Sequence, residues 1–282
     1  MLKGYLIEKY NGMGSAYTCA RLLEEAAAAG IVLDMVGVHD TVSDGSSLIN
    51  GGRVLEDRDF VINRYKWGHV KDGINGLVRR GYNPIEGFKP YIDKYLQLKT
   101  IDSGHFLKPK YLLGTVGGGY DLPASLLGTP FIAKGLASSM GREIRLIDGV
   151  EAFESLAKEF PEEKEFLFEE LIPTSLGRDL RVFCLRGEAV ACMVRESRGD
   201  FRANVALGAT VRNHPVTAEL QGIASDIFRI TRLDVVGIDL LFGKDCLYFC
   251  EINVMPGLEG FEQASGINIA RRAMEMIRDD FR

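Results

Sequence analysis

Near the C-terminus, two carboxylates and a carboxamide stand in otherwise apolar sequence. Asp239 lies in Leu233-Asp-Val-Val-Gly-Ile-Asp-Leu-Leu-Phe242; Glu251 and Asn253 lie in Cys246-Leu-Tyr-Phe-Cys-Glu-Ile-Asn-Val-Met-Pro-Gly-Leu-Glu-Gly260. Such groups are costly to bury unless something pairs them. Glu251 and Asn253 are two apart, so a strand would turn both to one face. A hairpin through Gly243-Lys244-Asp245 would bring Asp239 opposite Glu251 or its neighbour. Three hard oxygen donors, with no His or Cys among them, suit Mg²⁺ shared with phosphate rather than zinc. The plainer alternative is a solvated edge hairpin with scattered acids, which the apolar flanks disfavour.

The elements that must carry this trio follow from the chain's size and pattern. With 282 residues, it can hold one large α/β domain or two to three lobes. A formal charge of −5 argues against a general nucleic-acid footprint. No stretch has the length of apolar sequence that a membrane span needs, and charges interrupt the apolar N-terminus, so neither a membrane nor a secretory role is expected. Five scattered cysteines read as reduced thiols and a cytoplasmic setting. Cys246 and Cys250 have no second pair or His cluster to make them a zinc site.

Gly4–Ile7, a helix from Ala16 to Ala29 stopped by Gly30, and a strand over 31–38 form a βαβ opening, which predicts a parallel sheet. Asn11-Gly-Met-Gly-Ser15 lacks the third glycine of a dinucleotide fingerprint and reads better as a substrate-facing turn. Further strands are expected at 60–64, 106–114, 131–134, 143–147 and 165–172. A hairpin is expected about Gly187, and helices at 67–80, from 93 onward, and at 149–160, 217–231 and 267–282. Lys134 ends a strand ahead of Gly135-Leu-Ala-Ser-Ser-Met-Gly-Arg142. That small-residue loop either folds over a phosphate chain or is a hairpin beside an exposed lysine. Arg198-Gly-Asp-Phe-Arg-Ala-Asn204 is a polar, arginine-dense loop. Arg64, Lys66, His69 and Arg79 could rim an anion site or belong to a solvated basic face. No Gly-x-x-x-x-Gly-Lys-Ser/Thr motif exists, which sets aside a P-loop enzyme.

Taken together, Glu169-Glu-Leu-Ile172, Gly177-Arg-Asp-Leu-Arg-Val182, the 198–204 loop, 233–239 and Glu251-Ile-Asn-Val-Met-Pro-Gly-Leu-Glu-Gly-Phe-Glu262 resemble an ATP-grasp ligase of the ribosomal protein S6 glutamate ligase (RimK) type. The resemblance runs from about Lys94 to the end, while the first lobe matches only in its βαβ layout. It implies an ATP-grasp fold, mixed α/β and α+β, with an N-terminal domain over 1–93, a central lobe over 94–170 and a C-terminal lobe over 171–282. It also implies an ATP-dependent carboxylate–amine ligase acting through an acyl phosphate and joining an amino acid such as glutamate to a peptide, protein or small acceptor. The rival is a non-catalytic ATP-binding interaction protein on the same fold.

By that resemblance, Lys134, with Lys94 as second candidate, would hold the ATP phosphates. Glu170 and Leu171 would meet adenine, and Asp179 the ribose. Arg202, Ala203 and Asn204 would line the phosphates, with Arg202 and Arg195 catalytic. Asp239, Glu251 and Asn253 would bind two Mg²⁺, with Mn²⁺ as an alternative ion. Assembly as a homodimer or homotetramer is implied too, with 267–282 as a contact helix. Two departures stand out: Gly135 follows Lys134 where relatives usually carry proline, and 138–143 is poor in glycine. Substrate choice falls to the first lobe and the loops 63–72 and 114–120.

Overall fold

The structure is a computed structural model describing residues 1–138, 141–197, 199–203 and 209–282. The first lobe is built by the expected βαβ pattern. Strand β1 (Lys3–Glu8), helix α1 (Tyr17–Ala28) and strand β2 (Val32–Gly37) lead through a small antiparallel sheet of β3 (Thr41–Ser43), β4 (Leu48–Asn50) and β5 (Arg53–Val54) to β6 (Arg58–Asn63). Helix α2 (His69–Gly76) then precedes β7 (Val78–Tyr82), and the parallel order is β2-β1-β6-β7. Gly30 stops α1 with φ +71°, a conformation that is cheap only for glycine.

The single helix expected over 67–80 is therefore two elements. Helical periodicity ends at Gly76, and Val78–Tyr82 pairs in register with β6, where Tyr82 is buried. The small sheet over 41–54 is too short to show in a periodicity reading.

Helix α3 (Ile85–Phe88) and helix α4 (Lys94–Thr100) follow. Asp93 caps α4 by accepting from the Leu96 N–H at 3.0 Å. The central sheet comprises β8 (Tyr111–Thr115), β9 (Phe131–Gly135), β10 (Ile144–Ile147) and β11 (Glu165–Glu170), in the antiparallel order β10-β9-β11-β8. Its helices are α5 (Asp121–Leu127) and α6 (Val150–Glu159), and Phe131, Phe153, Phe166 and Phe168 fill its core. The strand expected over 106–114 starts only at Tyr111; before it, Leu107 bridges to Tyr248.

The largest sheet runs β14-β13-β12-β15-β16. Its strands are β12 (Arg178–Leu185), β13 (Glu188–Glu196), β14 (Thr210–His214), β15 (Val235–Phe242) and β16 (Leu247–Asn253), with α7 (Ala218–Thr231) between β14 and β15. Alternation decides its two faces. Val182, Cys184, Val194, Ile238 and Leu240 pack on α7, while Phe183, Leu185 and Met193 look the other way. There they meet α8 (Glu259–Ser265), α9 (Ile269–Asp279) and the apolar side of the first lobe, including Leu6, Leu22 and Phe60.

The packing also fixes where α4 and α9 sit. Leu98, Ile101 and Phe106 pack in the core of the C-terminal sheet, because Gln97 ties α4 to β16. Its side chain accepts from the Ile252 N–H at 2.7 Å and donates to the Ile252 carbonyl at 3.1 Å. Helix α9, expected as a contact surface for another copy, spends Ile269, Ala273, Met274 and Ile277 inside the chain.

Candidate active site

Three cross-strand rows on the second face of the large sheet assemble the polar cluster. Asp179 stands opposite Arg195, Arg181 opposite Asp239, and Asp239 opposite Glu251, with Asn253 one step along opposite Gly237. A bulge at Cys250 makes this work: Leu240 pairs with Phe249, but Asp239 pairs with Glu251. The extra residue lets Phe249 turn to the α7 core while Glu251 keeps facing the site.

Every acid in these rows is gripped by a cation. Arg195 donates Nε to Asp179 Oδ1 at 2.7 Å and Nη2 to Oδ2 at 2.5 Å, and the same Nη2 reaches Asp239 Oδ2 at 3.0 Å. Arg181 forks onto Asp239, with Nε to Oδ1 at 2.5 Å and Nη2 to Oδ2. Burial opposes ionisation of Asp239, yet the two guanidiniums hold its pKa below the ordinary carboxylate value. Asp179 shares Arg195 with it, and burial pushes its pKa up. Glu251 is only half-buried, and its desolvation is outweighed foremost by Lys94, whose Nζ lies 3.3 Å from Oε2 and which keeps it ionised.

The central lobe adds its own cations. Lys134 leaves β9 and donates to Glu169 Oε2 at 2.7 Å, and Cys250 Sγ lies 3.6 Å away. Burial works against this ammonium, but Cys250 and Glu169 more than offset it, and its pKa rises. Lys94 also donates to the Ser138 carbonyl at 2.7 Å, tying α4 to the small-residue loop. Arg202 spans the lobes: it pairs with Asp200 at 2.6 Å and donates Nη1 to the Gly141 carbonyl at 2.8 Å. Its loop is fastened at Gly177, whose N–H donates to the Phe201 carbonyl at 2.8 Å and whose carbonyl accepts from the Ser197 N–H at 2.7 Å. A Cβ at Gly177, where φ is +68°, would stand 3.0 Å from the Asp200 carbonyl, so glycine is required there.

These residues surround one cavity of about 700 Å³ between the lobes. Lys94, Lys134, Glu170, Leu171, Asp179, Arg195, Arg202, Ala203, Asp239, Glu251 and Asn253 all line it. Asn204 lies outside the described residues. Glu170, expected to face adenine, turns its carboxylate back to accept from the Lys110 N–H at 2.8 Å. Asp179, expected on the ribose, gives both oxygens to Arg195. Of the basic rim, Arg64 and Lys66 line the cavity. Exposed Arg79 instead sits on edge strand β7 facing Asp59, and His69 is exposed at the start of α2.

Sequence reasoning gave no role to Arg181 or Glu169. Arg181 was findable, since it stands two residues from Asp179 and thus on the same face of a strand. Glu169 was not, because only the β9–β11 pairing sets it beside Lys134.

Among the described residues no three His, Cys, Asp or Glu side chains form a ready metal cluster. The donor set is two carboxylates and a carboxamide in adjoining rows, all oxygen, which fits Mg²⁺ and not a soft metal. Two carboxylates already matched by arginine and lysine would share their charge with such an ion.

Three sheets clasping a cation-lined cleft define an ATP-grasp ligase. The RimK-like ATP-grasp domain model matches residues 121–277, more than half of the chain. The chain belongs to the RimK-like ATP-grasp family and is an ATP-dependent carboxylate–amine ligase. A probable alpha-L-glutamate ligase of Enterobacter sp. (strain 638) is 29% identical over 277 residues, spanning 94% of this chain and 92% of that protein. Among solved structures, the macrocyclase MdnC of Microcystis aeruginosa, bound with its precursor peptide MdnA, is 14% identical with a TM-score of 0.73, covering 99% of this chain and 100% of that one. The D-alanine–D-alanine ligase of Bacillus anthracis gives the same TM-score at 14% identity, covering 99% and 96%. The described residues contain no helix long and apolar enough to cross a membrane.

Proposed function

We propose that this enzyme activates a carboxylate as an acyl phosphate and joins it to an amine, adding an amino acid such as glutamate to a peptide or protein end. The observation that carries this reading is the convergence of Lys94, Lys134, Arg195 and Arg202 with Asp239, Glu251 and Asn253 on one interlobe cavity. A carboxylate oxygen attacks the γ-phosphorus of ATP, and the bond from that phosphorus to the bridging oxygen breaks, releasing ADP. The amine nitrogen then attacks the acyl carbon, the C–O bond to phosphate breaks, and the nitrogen gives up a proton. Both steps move negative charge, so positioned cations serve better than a covalent nucleophile.

Lys134 and Arg202 reach the cleft from the central lobe and the adjoining loop, and we assign them to the phosphates with Lys94. Asp179 aligns Arg195, while Glu170 and Leu171 form the connection against which the adenine lies. Asp239, Glu251 and Asn253 would hold Mg²⁺, two ions in our reading with Mn²⁺ as a substitute, and the ions would neutralise phosphate oxygens. Ser138 and Arg202 hold the small-residue loop at its edges, which suits a cover that keeps water from the acyl phosphate. The relative's printed name favours glutamate as the added unit, and the peptide-bound neighbour favours a peptide acceptor. For assembly we keep the homodimer or homotetramer, through a surface other than the apolar face of α9.

The test is ADP release over a matrix of carboxylates and amines, with L-glutamate and glutamate-ended peptides included. Release that needs both partners supports the ligase; tight nucleotide binding with no release across the matrix favours the non-catalytic rival. Hydroxylamine trapping of an acyl hydroxamate checks the intermediate.

A further inference from the structure

At its first-lobe end the cavity is lined by Glu8, Lys9 and Met13 and by the segment Arg64–Trp67. Charges there do not cancel. Arg64 is matched, with Nε 3.4 Å from Glu8 Oε1 and Nη1 donating to the Pro256 carbonyl at 3.1 Å. Lys94 is matched by Glu251. The half-buried Lys66 is different: among the described residues its ammonium has no ion pair or hydrogen bond. Burial, and then repulsion from Lys94, weaken its hold on a proton, and only Glu251 draws the other way. Glu251 is already taken by Lys94, so Lys66 is left without a carboxylate of its own among the described residues.

The backbone under Lys66 is fixed beforehand. The Arg64 N–H donates to the Ile7 carbonyl at 3.0 Å. Lys71, fully buried with its ammonium 3.9 Å from the Phe88 ring centre, donates to the Lys66 carbonyl at 3.4 Å. Gly68, at φ +110°, turns the chain into α2. The same cavity is lined by Met13, Tyr65, Trp67 and Tyr91. Aromatic and thioether surface suits a carbon chain and offers little to a phosphate.

We propose that Lys66 heads a subsite for the carboxylate substrate, binding an acid group carried on an amino-acid or peptide chain that lies against Tyr65, Trp67 and Tyr91, next to the Asp239–Glu251–Asn253 face. This rests on the ligase reading above. A bound carboxylate gives Lys66 its missing partner and brings an oxygen toward the metal-binding row, where attack on a γ-phosphate occurs.

Trp67 is the sole tryptophan of the chain, so its fluorescence reports on this subsite alone. The experiment titrates acetate, L-glutamate and the peptide Gly-Gly-Glu into the Mg-ADP complex of the wild type and of Lys66→Gln and Lys66→Arg, with Mg-ADP affinity measured by calorimetry. The expected result is a saturable Trp67 response to L-glutamate or the peptide. Lys66→Gln weakens it tenfold or more, Lys66→Arg largely restores it, and Mg-ADP affinity stays within twofold throughout. Unchanged carboxylate affinity in Lys66→Gln overturns the proposal. A parallel loss of Mg-ADP affinity also overturns it, by making Lys66 a phosphate ligand, and so does a Trp67 silent to every carboxylate while Mg-ADP binds. A wild type that binds no Mg-ADP would bring down the ligase reading itself.

Discussion

Arg181 lays its guanidinium across both carboxylate oxygens of Asp239, directly opposite on the neighbouring strand. Asp239 thus meets any dication with its charge already half spent on a side chain of the same sheet. Replacing Arg181 by Met removes one of two guanidiniums and leaves Arg195 in place. The fold should lose about 1–3 kcal/mol, less than for a carboxylate stripped of all partners. Magnesium should bind more tightly, with the Mg²⁺ midpoint for nucleotide uptake falling roughly threefold or more, because a competing positive charge is gone. Thermal melts and calorimetry at varied Mg²⁺ read both effects. A midpoint that rises would mean Arg181 assists the ion rather than competes with it.

Glu251→Gln keeps shape and removes a charge from the donor set. ADP release should fall on the order of a hundredfold or more, the scale of losing one transition-state charge contact. Circular dichroism should stay as in the wild type. Near-normal turnover at ordinary Mg²⁺ would refute the metal assignment.

Lys134 and Glu169 form a pair that is buried on both sides, with Glu169 Oε1 left without a partner among the described residues. Lys134→Ala strands that carboxylate, so stability should drop by about 3–5 kcal/mol along with nucleotide affinity. Adding Glu169→Gln should recover most of the stability and none of the affinity. A double variant that recovers both would show that the lysine acts only through the fold.

Lys71 has a buried ammonium whose pKa is pushed down from 10.5 to about 8, first by burial. Between those values the unfolded chain holds a proton that the folded chain has released, so stability rises with pH through that window. Below about 8 the cost is complete, at most about 3 kcal/mol. Lys71→Met should flatten the rise between pH 8 and 10.5 and stabilise the protein at pH 7. Chemical denaturation at several pH values checks this, and a slope equal to that of the wild type would assign the pH dependence to other groups.

How much of this was written in the chain alone can be judged residue by residue. The spacing of Glu251 and Asn253, the turn at Lys244 and the acid at Asp239 already placed oxygen donors on one face of a hairpin, because strand geometry is local. Lys134 at a strand end, the βαβ opening and the α7 helix were legible for the same reason. What needed the third dimension were partners far apart in sequence. Arg181 meets Asp239, Lys134 meets Glu169 and Gln97 docks α4 so that Lys94 reaches Glu251. The Cys250 bulge, which reverses the face of every residue before it on β16, has no signature in the pattern of hydrophobic residues. Lys66 is the clearest case. As one of several basic residues it could equally have been a solvated surface charge, and only the closing of one lobe on another left it lining the cleft with no acid paired to it among the described residues.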